Sequence, residues 1–180
     1  MLTVLVGAGC GDVVEHGQGA DTLGTNTEVG AVKLRNVYVE RPPAGAYRPG
    51  EDARVAISLF ATGRTDDRLT GVTSTDARAV RMRWDRACDG AAEPVLSIPL
   101  RGGEVPSPSG TPVTGHLPYY LTISDFNREV PAGTTVPLTF TFAHAGEVTL
   151  QAKVQPRDDS DEPADYACLT DPIRGPVVDR

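Results

Sequence analysis

The chain has 180 residues and a formal net charge of −7, which is enough length to bury the core of one ordinary domain. The negative charge argues against nucleic acid as a partner, because phosphate binding needs a basic surface. The apolar run at the N-terminus is too short for a transmembrane helix, which needs about 20 residues.

The first ten residues are apolar or small and end at Cys10. A strand is possible here, but the pattern favours the end of a secretory signal (residues 1–10) whose basic start is missing. The residues before Cys10 resemble a bacterial lipobox, with Gly7 where a leucine usually stands. That resemblance implies lipidation of Cys10 and attachment of the exported protein to the outer face of the cytoplasmic membrane. The alternative is an ordinary N-terminal tail with a buried or unmodified thiol.

Residues 11–30 are rich in Gly, Thr and Asn, which predicts a flexible tether. Alternating apolar residues begin after it. Positions 32 and 34 alternate, as do positions 37 and 39, but the two pairs are out of phase. A β-bulge near Arg35 and Asn36 would place both pairs on one face.

Three segments in the middle of the chain alternate with a period of two residues, which is typical of half-buried strands. Shorter β-prone segments, "LTGVTSTDA" and "PVLSIPL", lie between them. The expected inward residues of the three segments are Val55, Ile57 and Leu59, then Val80, Met82 and Trp84, then Leu117, Tyr119, Leu121 and Ile123.

The clearest pattern lies near the C-terminus, where "TVPLTFTF" and "EVTLQAKV" alternate on either side of "AHAG". Two alternating strands joined by a short turn with glycine predict a β-hairpin. Since no segment shows a useful helical period, we predict an all-β fold: a monomeric antiparallel β-sandwich over residues 31–155. We expect residues 156–180 to form an acidic, Pro-rich C-terminal tail.

The chain contains three cysteines, Cys10, Cys88 and Cys168. If Cys10 carries a lipid, two remain, and in an exported protein a remaining pair predicts a disulfide between Cys88 and Cys168. A metal site at these cysteines is less well supported, because neither belongs to a CxxC pair and no histidine is adjacent.

Motifs for catalysis are not found in the sequence. It has no GxSxG, no HExxH and no glycine-rich phosphate loop, so we expect no enzymatic activity. His16, His116 and His144 are isolated from one another in the sequence, and each is interpreted as a solvated side chain. Asp66 and Asp67 lie in a predicted loop and are interpreted as surface charges with ordinary pKa values.

The segment "VPAGTTVPLTFTFAHAGEVTLQAKV" resembles the closing segment of the PCu(A)C family of exported copper chaperones. Upstream, "NVYVERPPAGAY", "DDRLTGVTSTDA" and "AVRMRW" resemble earlier strands of that family. The resemblance covers about residues 31–155 and implies a cupredoxin-like, immunoglobulin-like β-sandwich. The matching residues of the closing segment are Gly133, Val136, Pro137, Leu138, Phe142, Ala145, Gly146 and Val148.

That family binds Cu(I) through His and Met, which suit this ion. The matching positions here fall on Tyr120, Thr122 and close to Arg83, so no metal is expected at the usual site. His116 and Met82 remain as weak candidates for a displaced site. Two interpretations stay open: a domain without a cofactor that binds an envelope protein or has a structural role, or a chaperone that binds copper at a displaced site.

Overall fold

The computed structural model describes residues 24–85, 91–103 and 119–156. These residues form strands and loops, and none belongs to a helix that is long and apolar enough to cross a membrane. The strands are β1 (Thr25–Val29), β2 (Val32–Val39), β3 (Ala46–Tyr47), β4 (Ala53–Ala61), β5 (Asp67–Thr73), β6 (Ala77–Trp84), β7 (Glu93–Val95), β8 (Ile98–Leu100), β9 (Tyr119–Phe126), β10 (Val130–Pro131), β11 (Thr135–Phe142) and β12 (Gly146–Val154).

Ten strands form one sheet in the order β7-β6-β9-β4-β2-β12-β11-β5-β8, with β1 paired to β2. Strands β7 and β8 lie at opposite ends of this order, yet only Leu96 and Ser97 separate them in the chain. The sheet therefore curls until its two edges come close, which gives a nearly closed barrel. The predicted all-β fold is confirmed, and the pairing of β12 with the end of β2 is parallel while the other pairings are antiparallel.

The core follows the predicted alternation of side chains. Strand β4 alternates without a break from Ala53 to Ala61, and the β11–β12 hairpin pairs from Thr135 opposite Lys153 to Phe142 opposite Gly146. Burial of such apolar area stabilises the fold by about 25 cal/mol per Å². The largest fully buried side chains include Leu34, Leu69, Ile98, Leu121, Ile123, Phe126, Leu138 and Phe140.

A β-bulge interrupts β2 at Asn36, which has a φ of 52°. The register between β2 and β4 shifts between Arg35 and Tyr38, so two residues of β2 stand opposite one residue of β4. As predicted, this extra residue brings positions 32 and 34 onto the same buried face as positions 37 and 39.

The prediction of a flexible tether over residues 11–30 does not hold for its last residues, because Thr25–Val29 form strand β1. It pairs with β2, and the Thr25 hydroxyl donates to the Gln151 carbonyl at 2.7 Å. Its composition gave no sign of this, since a polar edge strand is held by backbone pairing rather than by apolar side chains. The small sheet of β3 and β10 was likewise not predicted.

Candidate functional site

Strands β6 and β9 bring together the positions at or near which the family resemblance puts the copper ligands. Arg83 stands directly opposite Tyr120, and Arg81 stands opposite Thr122. Directly opposed residues have Cβ atoms about 4.5–5.5 Å apart. These side chains point to the outer face of the sheet, because the alternating residues between them belong to the core. We call the outer surface of β4, β9 and β6 the arginine face.

Arg54 of β4 completes the arginine face from the other side of β9, where it stands opposite Thr122. Its guanidinium carbon lies 3.9 Å from the centre of the Tyr120 ring, a cation–π contact. The same guanidinium pairs with the Glu40 carboxylate at 3.3 Å. Burial, followed by the negative charge of Glu40, raises the pKa of the nearby Tyr38 phenol, while Arg54 partly opposes this shift.

The chemistry of the arginine face suits anions better than soft metal ions. Arg81 is exposed and Arg83 is half-buried, and neither forms an ion pair within the part of the chain that the structure describes. A guanidinium stays protonated and repels a cation. Its planar set of N–H donors instead matches the two oxygens of a carboxylate.

Met82 and the histidines are not brought together in the described residues. The Met82 side chain is 7% exposed and packs in the core, opposite Leu121, as the alternation of β6 predicted. His144 lies in the exposed β11–β12 turn. His16, His116, Cys10, Cys88 and Cys168 lie outside the described residues. Within the described ranges, no group of three or more His, Cys, Asp or Glu side chains is placed to hold a metal ion.

Asp67 corrects the prediction that both loop carboxylates have ordinary pKa values. Partial burial acts to raise the pKa of Asp67, but backbone hydrogen bonds from Arg68, Ala145 and His144 outweigh it and hold the pKa below its usual range. The amides of His144 and Ala145 donate to this carboxylate at 3.0 and 2.9 Å. Asp67 therefore ties the start of β5 to the hairpin turn, and Asp66 similarly accepts a hydrogen bond from Gly102 at 2.8 Å.

Two further features were not identified from the sequence. Asp85, directly after β6, is a fully buried carboxylate that does have an interaction partner. A small cleft lined in part by Phe60, Trp84 and Tyr119 opens nearby, where the Trp84 and Tyr119 ring centres are 5.7 Å apart. An Asp after an alternating strand is usually a solvated loop residue, so only the structure shows this one to be buried.

Comparison with known proteins identifies the family to which the chain belongs. The family model of LpqE-like lipoproteins matches residues 32–154, a range that runs from β2 to the end of β12. No curated protein matches the chain at a significant level.

Several solved structures share the fold. The copper-bound PCuAC domain from PmoF2 is 22% identical with a TM-score of 0.55, and the match covers 74% of this chain and 99% of that domain. The apo form of that domain is 25% identical with a TM-score of 0.54, covering 74% and 97%. The apo PCuAC domain from PmoF1 is 21% identical with a TM-score of 0.53, covering 74% and 100%. The predicted relationship to PCu(A)C domains is confirmed at the level of the fold.

Proposed function

Because the chain belongs to the LpqE-like lipoprotein family, we propose that it is an exported protein held by lipid at the outer face of the cytoplasmic membrane. Its copper-chaperone-like β domain has lost the usual copper site and serves as a protein-binding or accessory module of the envelope. The alternative is a copper chaperone with a displaced site. In neither case do we assign an enzymatic activity, since function depends on the site and not on the fold.

The pairing of Arg83 with Tyr120 across β6 and β9 is the observation that supports the loss of the copper site. The positions matched to copper ligands do meet in space, so their side chains decide what can bind there. They offer a guanidinium, a phenol and, at Thr122, a hydroxyl. Phenol and hydroxyl oxygens are hard donors that Cu(I) disfavours, and the guanidinium adds a fixed positive charge.

A Cu(I) titration against a competing chromogenic chelator tests the loss of the site. We expect the native chain to leave the copper with the chelator. The triple variant Arg83→His, Tyr120→His and Thr122→Met places imidazole and thioether donors on adjacent positions of one face. We expect this variant to retain copper in a one-to-one complex, whereas a control variant with the single change Arg81→His should not.

The same titration separates the two interpretations. The displaced site would use His116 and Met82, and Met82 would have to leave the core to reach a metal. If the native chain holds Cu(I) stoichiometrically and loses it in His116→Ala or Met82→Leu, the chaperone interpretation replaces our proposal. Leucine is a suitable substitute at position 82 because it nearly conserves the core volume.

Lipid attachment is tested at Cys10. The two acyl chains of a diacylglyceryl group hold a protein firmly at a membrane, whereas one chain does so only weakly. We expect Cys10→Ala to release the protein from the membrane fraction or to leave an uncleaved precursor of greater mass. Unchanged fractionation and unchanged mass on a denaturing gel would contradict the lipoprotein assignment.

A further inference from the structure

The arginine face carries three guanidinium groups, although the chain has a net charge of −7. Across the sheet, Thr122 of β9 stands between Arg54 of β4 and Arg81 of β6. Two residues along the strands, Tyr120 of β9 stands opposite Arg83 of β6. The ion pair with Glu40 engages Arg54. Arg81 and Arg83 have no such partner among the described residues. The molecule therefore concentrates positive charge on one face, against the sign of its net charge.

The C-terminal tail leaves the domain beside this face. Strand β12 ends at Val154 next to Val39 of β2, and Gln155 donates its N–H to the Val39 carbonyl at 3.0 Å. The Arg41 side chain then donates to the Pro156 carbonyl. Arg41 directly follows Glu40, which pairs with Arg54. The first residue of the tail therefore starts at the border of the arginine face.

The sequence of the tail complements this face. Asp158, Asp159, Asp161 and Glu162 follow within six residues of Pro156. Because the tail continues from the end of β12, the distance across β2, β4 and β9 to β6 is four strand spacings, or about 19 Å. Five or six extended residues span such a distance, at about 3.3 Å each. Asp161 and Glu162, five and six residues after Pro156, are thus within reach of Arg81 and Arg83 without any rearrangement of the domain.

We propose that the acidic segment 158–162 of this chain docks on the arginine face and covers Arg81, Arg83 and Tyr120. Carboxylates of the tail supply the partners that the two arginines lack among the described residues. Each exposed ion pair is weak by itself, so the docking depends on several pairs acting together and is weakened by salt. The tail then acts as a built-in competitor, and a protein that binds this face has to displace it.

Carbodiimide coupling of the full-length chain tests this docking. The chain has only two lysines, Lys33 and Lys153, so Arg81→Lys adds one reactive amine at the face while keeping its charge. The control is Arg68→Lys, at an exposed position of β5. Position 68 lies beside the turn of the β11–β12 hairpin, at the opposite end of β12 from the start of the tail. We expect an intramolecular link from the amine introduced at position 81 to segment 158–162. It should be in about tenfold excess over links from the amine introduced at position 68, because docking raises the local concentration.

Coupling at high salt and binding to lipid vesicles distinguish the proposed docking from the other possible occupants of this face. At 1 M salt the screening length falls to about 3 Å, so the link in the Arg81→Lys variant should disappear. A link that persists at high salt, or one that is equally abundant in the Arg68→Lys control, overturns the inference. Links between two molecules would assign the face to a second copy and overturn it as well. No link, together with binding to phosphatidylglycerol vesicles that Arg81→Gln abolishes, would assign the face to the membrane instead. No readout involves copper, so this test fails or succeeds independently of the proposed loss of the copper site.

Discussion

Asp67 shows how neighbouring backbone groups change the chemistry of one side chain. Its carboxylate accepts hydrogen bonds from the amides of Arg68, His144 and Ala145. Partial burial acts to raise its pKa, but the three amides donate to the charged form and together lower the pKa. A group whose pKa is lower in the folded state stabilises the fold above its unfolded pKa, and this contribution is lost as the pH falls through the folded pKa.

We predict that Asp67→Asn destabilises the domain by about 1–2 kcal/mol at pH 7, because an amide cannot accept at both former oxygens. The difference in free energy of unfolding between the native chain and the variant should shrink as the pH falls below about 4. There the carboxyl becomes protonated first in the unfolded chain and, at lower pH, in the folded one. Urea unfolding at a series of pH values measures this. Glu93→Gln, an exposed change in β7, is the control, and a difference that stays constant with pH would contradict the role of ionisation.

The bulge in β2 shows how one element keeps a single buried face despite a phase change in its sequence. Asn36 has a positive φ of 52° and donates its backbone N–H to the Asn26 side chain at 2.8 Å. Its own side-chain oxygen is buried and has no hydrogen-bond partner among the described groups. Asn36 therefore suits this position through its backbone conformation, which Asn adopts more readily than most residues, and not through a bond to that oxygen.

We predict that Asn36→Val destabilises the fold by about 1–2 kcal/mol or more, since a β-branched residue is strained in the left-handed region. Asn36→Gly should stay within about 1 kcal/mol of the native chain, because glycine adopts this conformation without strain. Denaturant unfolding of both variants provides the measurement, with Ser58→Val in regular strand β4 as the control. Equal losses for Val and Gly at position 36 would show that the side chain, not the backbone, matters.

At the scale of the whole molecule, the predicted Cys88–Cys168 disulfide and the proposed docking of the tail are compatible, because both would bring the tail towards the segment that follows β6. Cys88 follows β6 by four residues, and Cys168 follows the acidic segment by six. A tail that crosses the arginine face from β2 towards β6 heads for the part of the chain that contains Cys88. The bond needs Cα atoms within about 7 Å of each other, and it would close a long loop of the chain.

We predict that the exported protein contains this disulfide and that its reduction lowers the free energy of unfolding by up to about 4–5 kcal/mol, the chain-entropy value for so long a loop. Alkylation with and without prior reduction, followed by mass spectrometry, measures the number of thiols that react. Cys88→Ser and Cys168→Ser should each destabilise the oxidised protein to the same extent. Reaction of both cysteines without reduction would refute the prediction.

The sequence by itself determined where strands β2, β4, β6, β9, β11 and β12 lie, which of their residues face the core, and that β2 carries a bulge. These are local properties, because alternation along one strand is visible within a few residues of it. Strand β1 was not predicted because its polar residues leave no such pattern. The family resemblance alone also pointed to Tyr120, Thr122 and a position near Arg83 as the place of the usual copper site.

Only the tertiary structure decided which strands pair. It placed Arg83 opposite Tyr120, set Arg54 over the Tyr120 ring, joined β12 to β2 in parallel, and brought Asp67 to a turn that lies 77 residues away along the chain. Such contacts depend on the order and register of the whole sheet, which no local pattern contains. For the same reason the arginine face is not apparent in an acidic sequence, since its positive charge comes from residues on separate strands.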